Sequence, residues 1–185
     1  MSILSVFRAF TVSGFLSLMV VLAPTAQAET KAALDMSSKE ALNQLIASVP
    51  AAKALSEKAI AVLVFPSITK AGFMIGGQFG DGVMWKKGKP VAYYNTSGAS
   101  FGLQAGAQTY GYALFFMKES ALKALDTADG FEVGVGPSVV VVDQGMGASH
   151  TSTTLQDDIY AFVFGQKGLM AGVGIQGNKI TKINK

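Results

Sequence analysis

The sequence predicts an α+β protein in which N-terminal helices and one internal helix pack on a glycine-rich antiparallel sheet, barrel-like or sandwich-like in shape. Residues 29–58 have the apolar spacing of helices. From Ala59 onward, most of the chain divides into short apolar runs separated by turn residues, which is typical of strands. Half of the 185 residues are apolar and none is cysteine, so the chain has to bury a core without the help of disulfides.

The first 28 residues have the order of a secretory signal peptide. Arg8 precedes a mostly apolar run over residues 9–23, and Ala26-Gln27-Ala28 fits a cleavage site. The run is short for a membrane-spanning helix, although an uncleaved anchor is the alternative. We therefore expect cleavage after Ala28, a single domain over residues 29–185, and an exported protein that is periplasmic or extracellular and peripheral to a membrane.

Two helices are predicted within residues 29–58. Ser37 and Glu40 have the spacing of a capping box. One apolar stripe follows, formed by Leu42, Leu45, Ile46 and Val49. Pro50 ends this helix and can begin a second one that extends to about Glu57.

Short strands are predicted from Ala59 onward. They cover residues 59–65, 71–80, 82–86, 90–96, 99–108, 109–117, 131–136, 138–143, 159–164, 168–175 and 178–183. One helix interrupts them, from Lys118 to about Ala128, with Leu122 and Leu125 on its buried side. Glycine inside a strand marks a bulge, a bend or the close approach of another backbone, so the many strand glycines predict a tightly coiled sheet.

Sequence patterns for nucleotide binding are incomplete. Residues 72–77 have the glycine spacing of a P-loop, but Gln78 and Phe79 stand where lysine and a hydroxyl residue are needed. Residues 172–177 match the dinucleotide-binding pattern, yet no acidic residue follows them. We therefore predict no nucleotide cofactor.

Patterns for catalysis and metal binding are also incomplete. Ser100 lies in a G-x-S-x-G sequence, but this pattern needs a helix after the serine, and a glycine-rich strand is predicted there. With one histidine and no cysteine, the chain lacks the usual zinc ligands. We predict that the protein is not an enzyme and has no catalytic or metal site; a serine esterase using Ser100 is the remote alternative.

The charge of residues 29–185 excludes one class of partner. This part of the chain has fourteen lysines against twelve acidic residues and contains no arginine. Recognition of bases and phosphates in nucleic acids relies on the arginine fork, so we predict no nucleic-acid partner. The small positive net charge still permits attraction to an anionic surface.

Two features indicate binding to a membrane. Lys86, Lys87 and Lys89 lie beside Trp85, and lysines next to an aromatic ring suit the headgroup region of a bilayer. The amphipathic helix of residues 38–49 could lie in the same interface. The structural alternatives are a solvated hairpin tip whose lysines protect a sheet edge, and a helix that packs on its own sheet.

Four blocks of sequence resemble the SYLF domain family. They are KAIAVLVFPSITKAGFMIGGQFGDGVMW (58–85), GASFGLQAGAQ (98–108), FEVGVGP (131–137) and YAFVFGQKGLMAGVGIQG (160–177). Their order matches the family, and the resemblance covers about residues 35–184. The family occurs in bacteria and in eukaryotic lipid-binding proteins and actin-patch proteins.

The resemblance implies non-catalytic lipid binding. Eukaryotic members bind phosphoinositides through an amphipathic N-terminal helix and basic residues, and some also bind actin. Carried over, the helix corresponds to about residues 38–49, and Lys70 lies in the matching K-A-G-F block. We expect a cell-envelope protein that recognises acidic phospholipid headgroups, phosphoinositide-like or other; a structural or protein-interaction module of the periplasm is the alternative. The expected lipid-binding residues are Lys39, Leu42, Leu45, Ile46, Lys70, Trp85, Lys86, Lys87 and Lys89.

Overall fold

The computed structural model describes residues 29–126, 130–133, 135–142, 156–168 and 178–185, and these form an α+β fold, as predicted. The helices are α1 (Lys31–Ser48), α2 (Pro50–Ser56) and α3 (Glu119–Ala124). The strands are β1 (Ala61–Lys86), β2 (Lys89–Phe116), β3 (Phe131–Glu132), β4 (Val139–Val142), β5 (Ile159–Gly168) and β6 (Lys179–Ile183). The predicted signal peptide and most of the predicted strand 168–175 lie outside the described residues.

Strand β2 is the centre of the sheet, which has six strands within the described residues. One edge of β2 pairs with β1 from end to end, and all of these pairs are antiparallel. The other edge pairs with β6 at residues 93–97 and with β5 at residues 108–116. Strand β3 extends the sheet beyond β6, and β4 joins β5 in parallel, so the predicted antiparallel sheet has one parallel pair.

Strands β1 and β2 form one long hairpin where the sequence predicted six shorter strands. The predicted gap between the strands 59–65 and 71–80 is wrong, because the strand continues past Pro66 with a register shift between Phe65 and Ile68. A bulge accepts a proline, since the ladder is already interrupted there, and it bends the strand. The hairpin closes through Lys87 and Gly88, both with positive φ (51° and 73°), as in a type I′ turn.

The predicted tight coiling of the sheet is confirmed at strand glycines. A Cβ atom at Gly82 would lie 2.5 Å from the Phe65 ring, and one at Gly80 would lie 2.7 Å from the carbonyl oxygen of Ser67. The second half of β1 therefore packs closely against its first half, and side chains at these two positions would separate the halves.

The curl of the sheet creates two apolar layers. Leu63 and Phe65 lie inside the curl and belong to a core that includes Tyr112. Val62 and Val64 alternate with them and lie outside, where α1 and α2 cover them with Leu34, Leu45, Ala52 and Leu55. Strands with apolar residues on both faces, such as β5, are explained by this double burial.

Helix α1 begins earlier than the predicted capping box. Its N-cap is Thr30, whose Oγ1 accepts a hydrogen bond from the Ala33 amide at 3.3 Å. Ser37 lies inside the helix and its hydroxyl donates to the carbonyl of Leu34, so the capping box is wrong. Helix α2 begins at Pro50, as predicted, because a proline at the first helical position needs no backbone partner.

Candidate functional site

A groove lies between α1, the turn of the β1–β2 hairpin and the start of α3. Its volume is about 640 Å³, which falls within the range of sites for small ligands. Helix α1 contributes Lys39, Leu42, Asn43 and Ile46, and the turn region contributes Trp85, Lys86, Lys87 and Gly88. The remaining lining residues are Ser56, Ala59, Ile60, Ala61, Val62 and Glu119.

Helix α1 supplies one wall of the groove. Lys39, Leu42 and Ile46 are three and four residues apart, so they lie on one face of the helix. Lys39 is exposed, whereas Leu42 and Ile46 are half-buried. This wall therefore has an apolar part and a cationic part.

Trp85 lies under α1, which limits the role expected from the sequence. The side chain is buried, and its indole nitrogen donates a hydrogen bond to the hydroxyl of Ser38 at 2.8 Å. Ser38 is itself fully buried. Trp85 thus lines the groove as a fixed surface and would have to leave α1 before it could insert into a membrane.

A second set of contacts holds α1 on the sheet. The Tyr93 hydroxyl donates to Oδ1 of Asp35 at 2.9 Å, and the Lys31 ammonium lies 5.2 Å from the centre of the Tyr93 ring. The pKa of Tyr93 is raised to about 12. Burial is the main cause, and the hydrogen bond and the negative charge of Asp35 add to it. Together with the Trp85 bond, these contacts dock α1 on its own sheet, which was the structural alternative for this helix.

The structure divides the predicted apolar stripe of α1. Leu45 is 2% exposed and packs against the outer layer of the sheet, so it contributes to the core and does not line the groove. Leu42 and Ile46 line the groove. Two of the three predicted lipid-binding leucine and isoleucine residues are therefore placed where they could contact a ligand.

The predicted lysines also separate into two groups. Lys39, Lys86 and Lys87 line the groove, and the Lys86 ammonium lies 3.7 Å from Oε1 of Glu119. Lys89 is exposed at the start of β2, outside the groove lining. Lys70 is buried on β1 opposite Gln108, so it cannot meet a headgroup at the surface and does not line the groove.

Sequence reasoning missed two residues that shape the site. Ser38 was passed over in favour of the neighbouring Ser37, although only Ser38 turns inward to meet Trp85. Glu119 had no local signal, because the fold alone brings α3 beside the turn of the hairpin. A charged residue at the start of a short helix is ordinary in sequence.

The geometry gives no support to the nucleophile pattern at Ser100. The backbone of this residue pairs with Gly76 inside β2, and β2 continues as a strand to Phe116. A nucleophile elbow requires a turn from a strand into a helix at this point. Across the described parts of the chain, no three His, Asp or Glu side chains are close enough together to hold a metal ion.

A known family model matches the C-terminal part of the chain. The family model Ysc84, described as "Las17-binding protein actin regulator", matches residues 97–185. Residues 97–185 therefore match the SYLF domain family. The SYLF family is associated with lipid binding and actin regulation, and it is not a known enzyme family. None of the curated proteins matches the chain significantly.

The matched SYLF region covers only part of the groove. It includes Glu119 and strands β3 to β6, whereas α1 and the lysines of the turn precede it. In the described residues, no helix is both long enough and apolar enough to cross a membrane.

Proposed function

We propose that this protein binds phospholipids with acidic headgroups at the groove and does so without catalysis. The observation that carries the proposal is the joining of an apolar wall, Leu42 and Ile46, to the ammonium groups of Lys39, Lys86 and Lys87. A phospholipid has the same two parts, since its phosphate attracts ammonium groups and its acyl chains favour apolar surface. The lipid association of the SYLF family supports the same class of ligand.

We further propose that binding takes place in the cell envelope, after removal of residues 1–28. The support for this location is the arrangement of Arg8, the apolar run and the Ala-Gln-Ala site in the sequence. An exported protein meets acidic phospholipids at the membrane surface. The proposal does not require the headgroup that eukaryotic members bind, because lysines attract any negatively charged headgroup.

The charges alone give a limited affinity. Each lysine near an anionic surface contributes about 1 kcal/mol, so the three groove lysines contribute about 3 kcal/mol, and salt weakens this part. Glu119 offsets some of it. Contact between the lipid and the side chains of Leu42 and Ile46 has to supply the rest of the binding free energy through the hydrophobic effect.

Sedimentation with vesicles tests the proposal. The purified protein, residues 29–185, is mixed with neutral vesicles and with vesicles containing acidic phospholipid, at two salt concentrations. We expect binding to the acidic vesicles, weakened by salt, and a loss of binding in the double variant Lys39→Ala/Leu42→Ala. Lys167→Ala is the matched control, because Lys167 is an exposed lysine of β5 outside the groove. Absence of binding to either kind of vesicle would refute the proposal.

A second candidate function is a structural or protein-interaction module of the periplasm. The description of the matched family as a Las17-binding protein favours a protein partner for residues 97–185. A stable complex with an envelope protein, formed by a chain that ignores all vesicles, would favour this candidate.

A further inference from the structure

The groove contains one carboxylate among its lysines. Glu119 is the single acidic residue of the lining, all of which belongs to the described part of the chain. Its Oε1 atom lies 3.7 Å from the ammonium of Lys86, and the two side chains are 61% and 41% exposed. The contact is therefore a solvated ion pair at the edge of the groove.

The backbone under Glu119 is fixed although its side chain is solvated. Glu119 lies in the first turn of α3, where a carboxylate interacts favourably with the helix dipole. Ala121 and Leu125 anchor this helix in the inner core. The carboxylate thus stays beside the turn of the hairpin, while its own rotation is little restricted.

An ion pair of this kind is easily displaced. Exposed pairs contribute little to stability, because water already solvates both charges. An incoming phosphate can take the place of the carboxylate at Lys86. It then meets the negative charge of Glu119 nearby, which lowers the gain from binding.

We propose that Glu119 is a built-in counter-ion of the groove, which an acidic headgroup must displace from Lys86. The proposal rests on the proposed lipid-binding function and names the residue that limits its affinity. In this arrangement Lys39 and Lys87 supply most of the net attraction, while Lys86 and Glu119 largely neutralise each other. A neutral headgroup gains nothing from displacing Glu119, so the residue affects binding to acidic lipids alone.

The variant Glu119→Gln tests the role directly, since it keeps the size of the side chain and removes the charge. We expect affinity for vesicles containing acidic phospholipid to rise about fivefold, the equivalent of about 1 kcal/mol for one charge near the surface. Affinity for neutral vesicles should not change. The matched control is Glu132→Gln, which makes the same change of net charge at an exposed residue of β3 outside the groove lining.

Two results would overturn the proposal while leaving the proposed function intact. One is wild-type binding that Glu119→Gln does not strengthen, in a variant whose circular dichroism spectrum shows the native fold. The other is an equal rise in affinity from Glu132→Gln, because net charge would then explain the effect. If the wild-type protein binds no vesicles at all, the proposed function fails first.

A double-mutant cycle shows whether Glu119 acts through Lys86. The effect of Glu119→Gln is measured with Lys86 present and again in the Lys86→Ala variant. We expect a smaller rise in affinity without Lys86, because there is then no ammonium to release. An equal rise in both backgrounds would contradict the counter-ion role.

Discussion

Lys87 combines an unfavourable backbone with a favourable position for binding. Its φ of 51° places it in the left-handed region, which asparagine and glycine adopt more readily than lysine. Its side chain is exposed at the groove. Asparagine or glycine would thus suit the backbone of this turn better, whereas lysine is better suited to attract a negatively charged headgroup.

The variant Lys87→Asn should separate turn stability from lipid binding. We expect the free energy of unfolding to stay equal or rise by up to about 1 kcal/mol, because asparagine tolerates positive φ. Affinity for acidic vesicles should fall about fivefold through the loss of one charge. Urea unfolding and vesicle sedimentation measure the two effects. Unchanged vesicle binding would remove Lys87 from the site.

Trp85 and Ser38 offer a second test at the scale of single residues. Trp85→Phe leaves the buried hydroxyl of Ser38 without its indole donor and should lower the free energy of unfolding by about 1–3 kcal/mol. Adding Ser38→Ala removes the unpaired group. We therefore expect the double variant to lose less than the sum of the two single variants, as measured by urea denaturation. Strict additivity would show that the hydrogen bond is unimportant.

At the scale of elements, α1 has a structural side and a binding side. Leu45→Ala should lower the free energy of unfolding by about 2–5 kcal/mol, because Leu45 is buried against the sheet. Leu42→Ala, at a half-buried residue of the groove, should cost less stability and weaken vesicle binding. Thermal unfolding and sedimentation distinguish the two variants. Similar losses of stability and of vesicle binding in both variants would mean that α1 has no separate binding side.

The apolar stripe of α1 shows which properties of the helix can be predicted from the sequence and which cannot. Periodicity identified the apolar face of α1, yet it could not tell Leu45, which is buried, from Leu42, which lines the groove. Depth of burial depends on how the helix is set against the sheet, and that is a tertiary property. Six of the nine residues predicted from sequence to bind lipid line one groove, whereas Leu45, Lys70 and Lys89 do not.

The long β1–β2 hairpin was also predictable only in part. Strand glycines correctly indicated coiling, because their missing side chains leave room for a second backbone, as at Gly82. The sequence predicts that a strand ends at residue 65, before Pro66, because proline removes a donor from the ladder. A bulge removes the need for that donor, and local sequence does not reveal a bulge.

At the scale of the whole molecule, buried tyrosines link stability to alkaline pH. Burial raises the pKa of Tyr94 and of Tyr110 from 10.0 to about 12. For Tyr94 the nearby Asp126 adds to this effect, and for Tyr110 a hydrogen bond with Asn178 opposes it. Both hydroxyls keep their protons more strongly in the folded protein than in the unfolded chain.

The sign of the pH effect follows from these pKa values. The stabilisation is fully present below pH 10, where both states are protonated, and it is lost as the pH rises from 10 towards 12. The loss should be about 2–3 kcal/mol for each of the two tyrosines. Urea unfolding across this range, with tyrosinate absorbance as a second signal, measures it. If both tyrosines ionise near pH 10 and the free energy of unfolding does not fall, the prediction is contradicted.

The continuous β1–β2 hairpin also has a consequence for folding kinetics. Its strands meet across a two-residue turn, so their pairs can form in sequence from Lys86 and Lys89 outward to Ala61 and Phe116. Strands β5 and β6 come from much later in the chain and must close long loops to reach β2. We expect the hairpin to be largely formed in the transition state, with β6 added afterwards. Substitutions in the turn should then alter the folding rate, whereas substitutions in β6 should mainly accelerate unfolding.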